Sequence, residues 1–98
     1  MSLFETGAVL MTPGIKDIMS KGDDEEKIVR RCLERHCQGD WGDLCEDDRV
    51  MNDESLEAEK NGGWTDSLFS SYDTDIGKIY VITECDRSVT TILLSEEY

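Results

Sequence analysis

The sequence has few of the features that indicate a membrane or secreted protein. Its 98 residues include one proline, and no apolar run approaches the roughly 20 residues that cross a bilayer. The N-terminal stretch MSLFETGAVLM has no basic residue before its apolar part, so it does not predict a signal peptide. We therefore expect a cytoplasmic protein with no membrane partner, folded as a single α+β domain over residues 1–98.

Basic residues are scarce. Lysine and arginine number 10 against 23 aspartates and glutamates, for a net charge of −13. The imbalance is concentrated in residues 40–59, which hold nine acidic residues and one basic residue. Such a field repels naked nucleic acid and anionic membranes and attracts a basic partner surface. We therefore expect no direct nucleic-acid binding.

Recognised catalytic and metal-binding motifs are also lacking. The chain has four cysteines without a C-x2-C pair, one histidine, and no P-loop, G-x-S-x-G or G-x-G-x-x-G motif. Cys32 and His36 are four residues apart, with Cys37 and Cys45 nearby, but the first three continue the apolar stripe of a predicted helix. We expect them in the core and predict no catalytic residue, metal or cofactor. A metal-dependent or thiol enzyme centred on these four residues is the less favoured alternative.

The first half of the chain has helical periodicity after one N-terminal strand. Residues 3–11 predict a strand, and Thr12, as N-cap before a proline, begins a short helix that stops at Gly22. A second helix follows over residues 23–37, where apolar pairs recur every four residues, and Gly39 ends it. Trp41, between two Gly-Asp steps, is interpreted as a structural hub that joins two helices.

A third helix is predicted over residues 44–59, with Asp43 as its N-cap and Glu46 completing a capping-box pattern. We expect a break at 52–53. The side chains expected to share the buried face are Leu44, Met51, Ser55 and Ala58.

Beyond residue 63 the pattern alternates. Residues 64–72, 78–85 and 89–94 are rich in β-branched and aromatic residues and predict three antiparallel strands, joined by turns at 73–77 and 86–88. The predicted fold is an α+β domain of order β-α-α-α-β-β-β, in which helices pack on one face of an antiparallel sheet of three to four strands.

The third helix would present a band of carboxylates on its exposed side. Neighbours three or four residues apart on a helix are about 5–6 Å from each other, which is comparable to the spacing of phosphates along a nucleic-acid strand. The order of the acids does not match a calcium-binding EF-hand loop. We predict that the band binds a partner, through Asp43, Glu46, Asp47, Asp48, Asp53, Glu54 and Glu57.

Several blocks of the sequence resemble a family of small proteins from phages, plasmids and conjugative elements. These blocks are MTPG at 11–14, GDWGDLCEDD at 39–48, MNDESLE at 51–57 and KIYVITECDRSVTTILLSEEY at 78–98. Family members are described as plasmid-related or as type I restriction endonuclease subunit M, but this chain is too short for a methyltransferase. Residues 95–98 read SEEY where the family typically has PEEY.

The resemblance implies a mobile-element protein in the cytoplasm of a host bacterial cell. Together with the acidic band, it favours a non-enzymatic anti-CRISPR or anti-restriction protein. The expected partner is a host defence nuclease, or another basic nucleic-acid-binding protein, whose binding site the carboxylates occupy in place of phosphates. A regulatory or interaction module of a mobile element, including a homodimer formed through an exposed edge strand, remains open as an alternative.

Overall fold

The computed structural model describes residues 3–63 and 65–98 and has the predicted α+β architecture. The elements are β1 (Ala8–Met11), α1 (Pro13–Met19), α2 (Asp23–Cys37), α3 (Glu46–Lys60), β2 (Leu68–Thr74), β3 (Gly77–Thr83) and β4 (Val89–Leu94), followed by a 3-10 turn at Ser95–Glu97. The order β-α-α-α-β-β-β is confirmed. The predicted strand over 64–72 began at Trp64, which lies outside the described residues.

The four strands form one mixed sheet of order β1-β4-β3-β2. Strands β2, β3 and β4 are antiparallel neighbours, as predicted. Strand β1 joins β4 in the parallel direction, with Ala8 opposite Val89 and Met11 opposite Ile92. A parallel pair requires a long crossover connection, and the whole of α1 to β3 supplies it here.

Helices α1 and α2 cover one face of the sheet. Val29, Cys32 and His36, which the four-residue periodicity of α2 predicted to be buried, are 0–3% exposed. They pack with α1 against the inward side chains of the three long strands. The main core cluster consists of Ile15, Ile18, Val29, Cys32, Tyr72, Ile79, Val81 and Ile92. Burial of this face is the largest favourable contribution to folding.

Helix α3 lies beside the outer edge of β2 and binds it through side chains. The Asn52 side-chain amide donates to the Phe69 carbonyl at 2.7 Å, and the Phe69 N–H donates back to the Asn52 carbonyl oxygen at 3.2 Å. One turn later, the Ser55 hydroxyl donates to the Asp66 carbonyl and accepts a hydrogen bond from the Asp66 N–H. These side chains replace the neighbouring strand that the edge lacks.

The predicted buried face of α3 was therefore partly wrong. Met51 is 59% exposed, whereas Asn52 and Ser55 are each 4% exposed. The helix packs against backbone polar groups, so polar side chains rather than apolar ones face inward. The expected break at 52–53 is also wrong, because the Asn52 amide bonds the strand and leaves the backbone hydrogen bonds of α3 intact.

The loop before α3 protects the rest of the β2 edge. The Ser71 N–H donates to the Trp41 carbonyl at 3.2 Å, and the Asp43 N–H donates to the Ser71 carbonyl at 2.7 Å. Gly42 sits in this bridge with a φ of 76°, and a Cβ there would lie 2.1 Å from the Ser71 carbonyl oxygen. Only glycine fits such a contact in that conformation.

Asp43 is not the N-cap of α3. The helix begins at Glu46 with Cys45 in the N-cap position and no side-chain cap hydrogen bond. Asp43 instead accepts the N–H of Asp73 at 2.8 Å, which is the next outward-facing amide of β2. The predicted capping box is wrong because this carboxylate satisfies the strand edge and not the helix end.

The C-terminus is tied to the start of α1 by one carboxylate. Glu97 accepts a hydrogen bond from the Thr12 hydroxyl and another from the Gly14 N–H at 3.1 Å. Thr12 occupies the predicted N-cap position, but its hydroxyl makes no cap hydrogen bond to the helix. The hydrogen bonds from Thr12 and the backbone lower the pKa of Glu97.

We expect Asn52→Ala to lower the free energy of unfolding by about 2 kcal/mol, because it leaves the partly buried Phe69 N–H and C=O groups without partners. The neighbouring change Met51→Ala, at an exposed position, serves as the control and should cost less than about 0.5 kcal/mol. Urea unfolding of both variants measures the difference. Equal stabilities would contradict the role given to Asn52.

Candidate functional site

The side of α3 turned away from β2 carries most of the predicted partner-binding residues. We call the seven predicted carboxylates, of Asp43, Glu46, Asp47, Asp48, Asp53, Glu54 and Glu57, the acidic face. All seven residues are exposed. Helical geometry directs Glu46, Asp47, Glu54 and Glu57 away from the buried Asn52. The structure thus brings these four to one solvent-facing side of a 15-residue helix.

Three members of the acidic face also hold the local structure together. Asp43 accepts the Asp73 N–H, as described above, and Asp48 accepts the thiol of Cys45 at 3.3 Å. Asp53 accepts the indole N–H of Trp41 at 2.9 Å. In the described part of the chain, the other four carboxylates have no hydrogen-bond or ion-pair partner and are open to an external one.

Trp41 is the structural hub that the sequence predicts. Its side chain is 4% exposed and packs in a second core cluster with Phe4 and Leu68. Its ring also meets the buried ring of His36 edge-on, with 5.5 Å between centroids. The indole therefore anchors α3 to α2, and through its bond to Asp53 it fixes one side of the acidic face.

The arginines near the acidic face are occupied elsewhere. Arg49, the one base among residues 40–59, donates to the carbonyls of Gly42 at 2.7 Å and Leu44 at 3.0 Å. The remaining two acids of that segment do form ion pairs, Asp40 with Arg35 and Glu59 with Arg87. No salt bridge among the described residues involves the acidic face. Its carboxylates therefore carry charge that no ion pair neutralises within the described structure.

Two apolar side chains interrupt this surface. Val50 is 43% exposed and Met51 is 59% exposed. Val50 lies one turn from both Glu46 and Glu54 on the outward side of the helix. An aliphatic side chain surrounded by carboxylates offers a partner protein a contact that phosphate groups of nucleic acid do not have.

The basic residues of α2 do not dock against α3. Arg35 makes a 2.7 Å bond to Asp40 and stacks 4.6 Å from the ring centroid of Tyr72. Arg31 is 3.8 Å from Glu34, with both side chains more than 60% exposed. Exposed pairs of this kind contribute little to stability. Arg31 therefore pairs within α2, Arg35 pairs with the loop after α2, and neither is paired with the acidic face.

Arg87 is a structural residue that the sequence patterns did not indicate. It has a φ of 61° in the turn before β4, and its side chain is buried. Its guanidinium donates to Glu59 at 2.9 Å, to the Asp66 carbonyl at 2.8 Å and to Ser55 at 3.2 Å. It thereby binds the C-terminal part of α3 to the β3–β4 turn. A single arginine in a predicted turn carries no sequence signal for this role.

The cysteine and histidine alternative receives little support from the geometry. His36 is fully buried, and its two ring nitrogens hydrogen-bond the hydroxyls of Ser70 and Thr83. Burial raises the pKa of the Cys32 thiol to about 11, which disfavours the nucleophilic thiolate. Cys45 is exposed and bonds Asp48. Across residues 3–63 and 65–98, no group of three or more His, Cys, Asp or Glu side chains is arranged to hold a metal.

No family model, curated protein or solved structure matches the chain. None of the helices in the described ranges is long and apolar enough to cross a membrane.

The buried histidine predicts a specific pH dependence of stability. Burial, aided by the positive charge of Arg87, lowers the pKa of His36 to about 3 from 6.5. Below pH 6.5 the unfolded chain therefore binds a proton that the folded chain does not, so stability falls as the pH drops toward 3. Between pH 7 and pH 5 this amounts to about 2 kcal/mol.

Urea unfolding at pH 7, 6 and 5 measures this loss. The control is His36→Gln, which keeps hydrogen-bonding capacity but does not titrate. We expect this variant to be less stable at pH 7 and nearly independent of pH over the same interval. A wild-type protein whose change in stability between pH 7 and pH 5 equals that of His36→Gln would contradict a neutral, buried His36.

Proposed function

We propose that this protein is a non-enzymatic inhibitor of a host defence nuclease, a CRISPR effector or restriction enzyme. In this proposal the acidic face occupies a basic nucleic-acid-binding site on the nuclease. The observation that carries the proposal is the set of exposed carboxylates without ion pairs on and beside one well-anchored helix. The mobile-element setting comes from the sequence resemblance.

The helix supplies the rigidity that such a mimic requires. Asn52, Ser55 and Arg87 fix α3 along its length, so the backbone positions that carry the carboxylates are set before binding. Preorganised charges lose less conformational entropy on association than flexible ones do. A negative field also speeds encounter with a positive surface, and salt weakens this effect.

Neutralising the four open carboxylates should abolish most of the inhibition. We expect the variant Glu46→Gln, Asp47→Asn, Glu54→Gln and Glu57→Gln to bind the nuclease at least about fourfold more weakly, and about fiftyfold at the middle of the range, since exposed ion pairs contribute roughly 0.2–1 kcal/mol each. Competition between the protein and a labelled duplex for a panel of purified CRISPR effectors and restriction enzymes measures the affinity.

The matched control neutralises four exposed acids outside α3, at Glu5, Asp24, Asp75 and Glu84. It has the same net charge as the test variant, and we expect its affinity to change less than about threefold. Wild-type binding should also weaken as salt is raised from 0.05 to 0.5 M. Equal losses in the two variants would mean that only net charge matters and would contradict a defined acidic face.

A second candidate function is an interaction module whose partner is recognised through apolar contacts. The exposure of Val50 and Met51 on α3 favours it. Under this alternative, the partner is a regulatory or structural protein of a mobile element and no nucleic-acid site is occupied.

The variant Val50→Ser with Met51→Ser separates the two functions. A phosphate mimic should retain nuclease inhibition to within about fivefold, because its carboxylates are unchanged, whereas an apolar recognition surface should lose binding by more than about a hundredfold. Isothermal titration with the nuclease that the wild-type protein binds in the competition assay distinguishes the outcomes. Unfolding in urea confirms that both exposed substitutions leave the fold intact.

A further inference from the structure

Strand β1 is a sheet edge whose outward backbone groups have no partner among the described residues. The Ala8 N–H donates to the Ser88 carbonyl at 3.0 Å, and the Thr12 N–H donates to the Ile92 carbonyl at 3.1 Å. Alternate residues of a strand point their backbone groups to opposite sides. Leu10 therefore also faces β4, and the N–H and C=O groups of Val9 and Met11 face away from the sheet.

This edge has none of the protection found at the other edge. The outward groups of β2 are satisfied by Asn52, by the loop at 41–43 and by Asp43. Residues Ala8–Met11 have no charge and no proline, no element in the described ranges covers them, and Val9 and Leu10 are 36% and 53% exposed. Natural proteins protect edge strands from unwanted pairing by charges, prolines, covering elements or short length, and β1, with four residues, has only the last of these. Because the β2 edge is covered and the β1 edge is open, we expect β1 to pair with a strand of another molecule.

We propose that β1 pairs antiparallel with β1 of a second copy, to form a homodimer with a continuous eight-stranded sheet. Two-fold symmetry requires the outward-facing residues to be equally spaced about the axis, and Val9 and Met11 lie on either side of Leu10. Placing Leu10 on the two-fold axis sets Val9 of each copy opposite Met11 of the other. Each such pair exchanges two backbone hydrogen bonds, so the contact forms four in all.

The charge distribution favours a second copy over a basic partner strand. The groove beside β1, of about 360 Å³, is lined mainly by apolar side chains, among them Met19 and Leu33, and by one base and one acid, Arg30 and Glu34. Neither this groove nor β1 carries a net charge that would select a positive segment. The side chains of Val9 and Met11 of the second copy would extend the same apolar surface.

Two chains of charge −13 can approach here because the acidic face lies at the opposite edge of the sheet. In the paired sheet, seven inter-strand spacings of about 4.8 Å separate the two β2 strands, roughly 34 Å in all. That is about four Debye lengths at physiological ionic strength, where the length is about 8 Å. Repulsion between the acidic helices is thus largely screened.

Sedimentation equilibrium of the full chain between 5 and 500 µM tests the proposal. We expect a concentration-dependent rise from the monomer mass of 11.1 kDa toward twice that value. Salt should strengthen the association, because screening reduces like-charge repulsion. The proposed nuclease binding should instead weaken with salt, so the two associations can be told apart. A dimer that does not bind the nuclease would contradict the proposed function alone, and a monomer that binds it would contradict the dimer alone.

Two substitutions locate the interface. Leu10→Lys brings two like charges face to face across the axis and should raise the dimer dissociation constant at least about tenfold. Leu3→Lys makes the same chemical change at another exposed leucine and should leave it within about twofold. Val9→Pro removes two of the four hydrogen bonds, whereas Val9→Thr keeps all four.

Hydrogen exchange of the wild-type protein gives a readout that needs no variant. The amides of Val9 and Met11 should gain protection as the concentration rises. A protein that stays at the monomer mass at 500 µM in 0.5 M salt would overturn the proposal. So would a dimer unaffected by Leu10→Lys and Val9→Pro, or one in which these amides exchange freely.

Discussion

The backbone groups along the outer edge of β2 are the constraint on which the placement of α3 depends. An edge strand in a folded protein carries N–H and C=O groups that need hydrogen-bond partners or water. Here the amide of Asn52 and the hydroxyl of Ser55 supply them from the helix, and residues 41–43 supply them from the loop before it. The acidic helix is therefore positioned by polar contacts to a strand edge, and only secondarily by apolar packing.

This mode of attachment explains how so acidic a segment can be well ordered. Like charges at helical spacing destabilise an isolated helix. The cost is offset by Asn52, by the buried pairing of Arg87 with Glu59, and by the indole of Trp41 bound to Asp53. Each contact is made from the inner side or flank of α3, so the outward carboxylates take no part in holding it. Folding therefore does not require the negative charge of the outer side.

The sequence predicted the elements better than it predicted the contacts of α3. Periodicity located α2 and its buried residues, because one apolar face on one sheet is the case that the pattern describes. It failed for Met51, since the inward face of α3 meets backbone polar groups and an amide fits there better than a thioether. The capping-box pattern failed for Asp43, because a carboxylate near a helix start resembles an N-cap whether it binds the helix or a distant strand. The parallel entry of β1 and the contacts of Arg87 depend on chain positions more than 20 residues apart, which local patterns do not encode.

The two edges of the sheet differ in the contacts that they offer to another molecule. The β2 edge is closed by its own chain and carries the charged helix, so a partner there meets side chains and a long-range field. The β1 edge is open and uncharged, and a partner there meets backbone groups within hydrogen-bonding distance only. Attraction between the acidic helix and a basic surface acts over about a Debye length and weakens with salt. Backbone hydrogen bonds at the β1 edge act over about 3 Å, and salt favours them between two chains of like charge because it screens their repulsion. In the proposed dimer, their separation to opposite ends of one sheet would let a chain of net charge −13 pair with itself while its carboxylates stay free for the proposed basic partner.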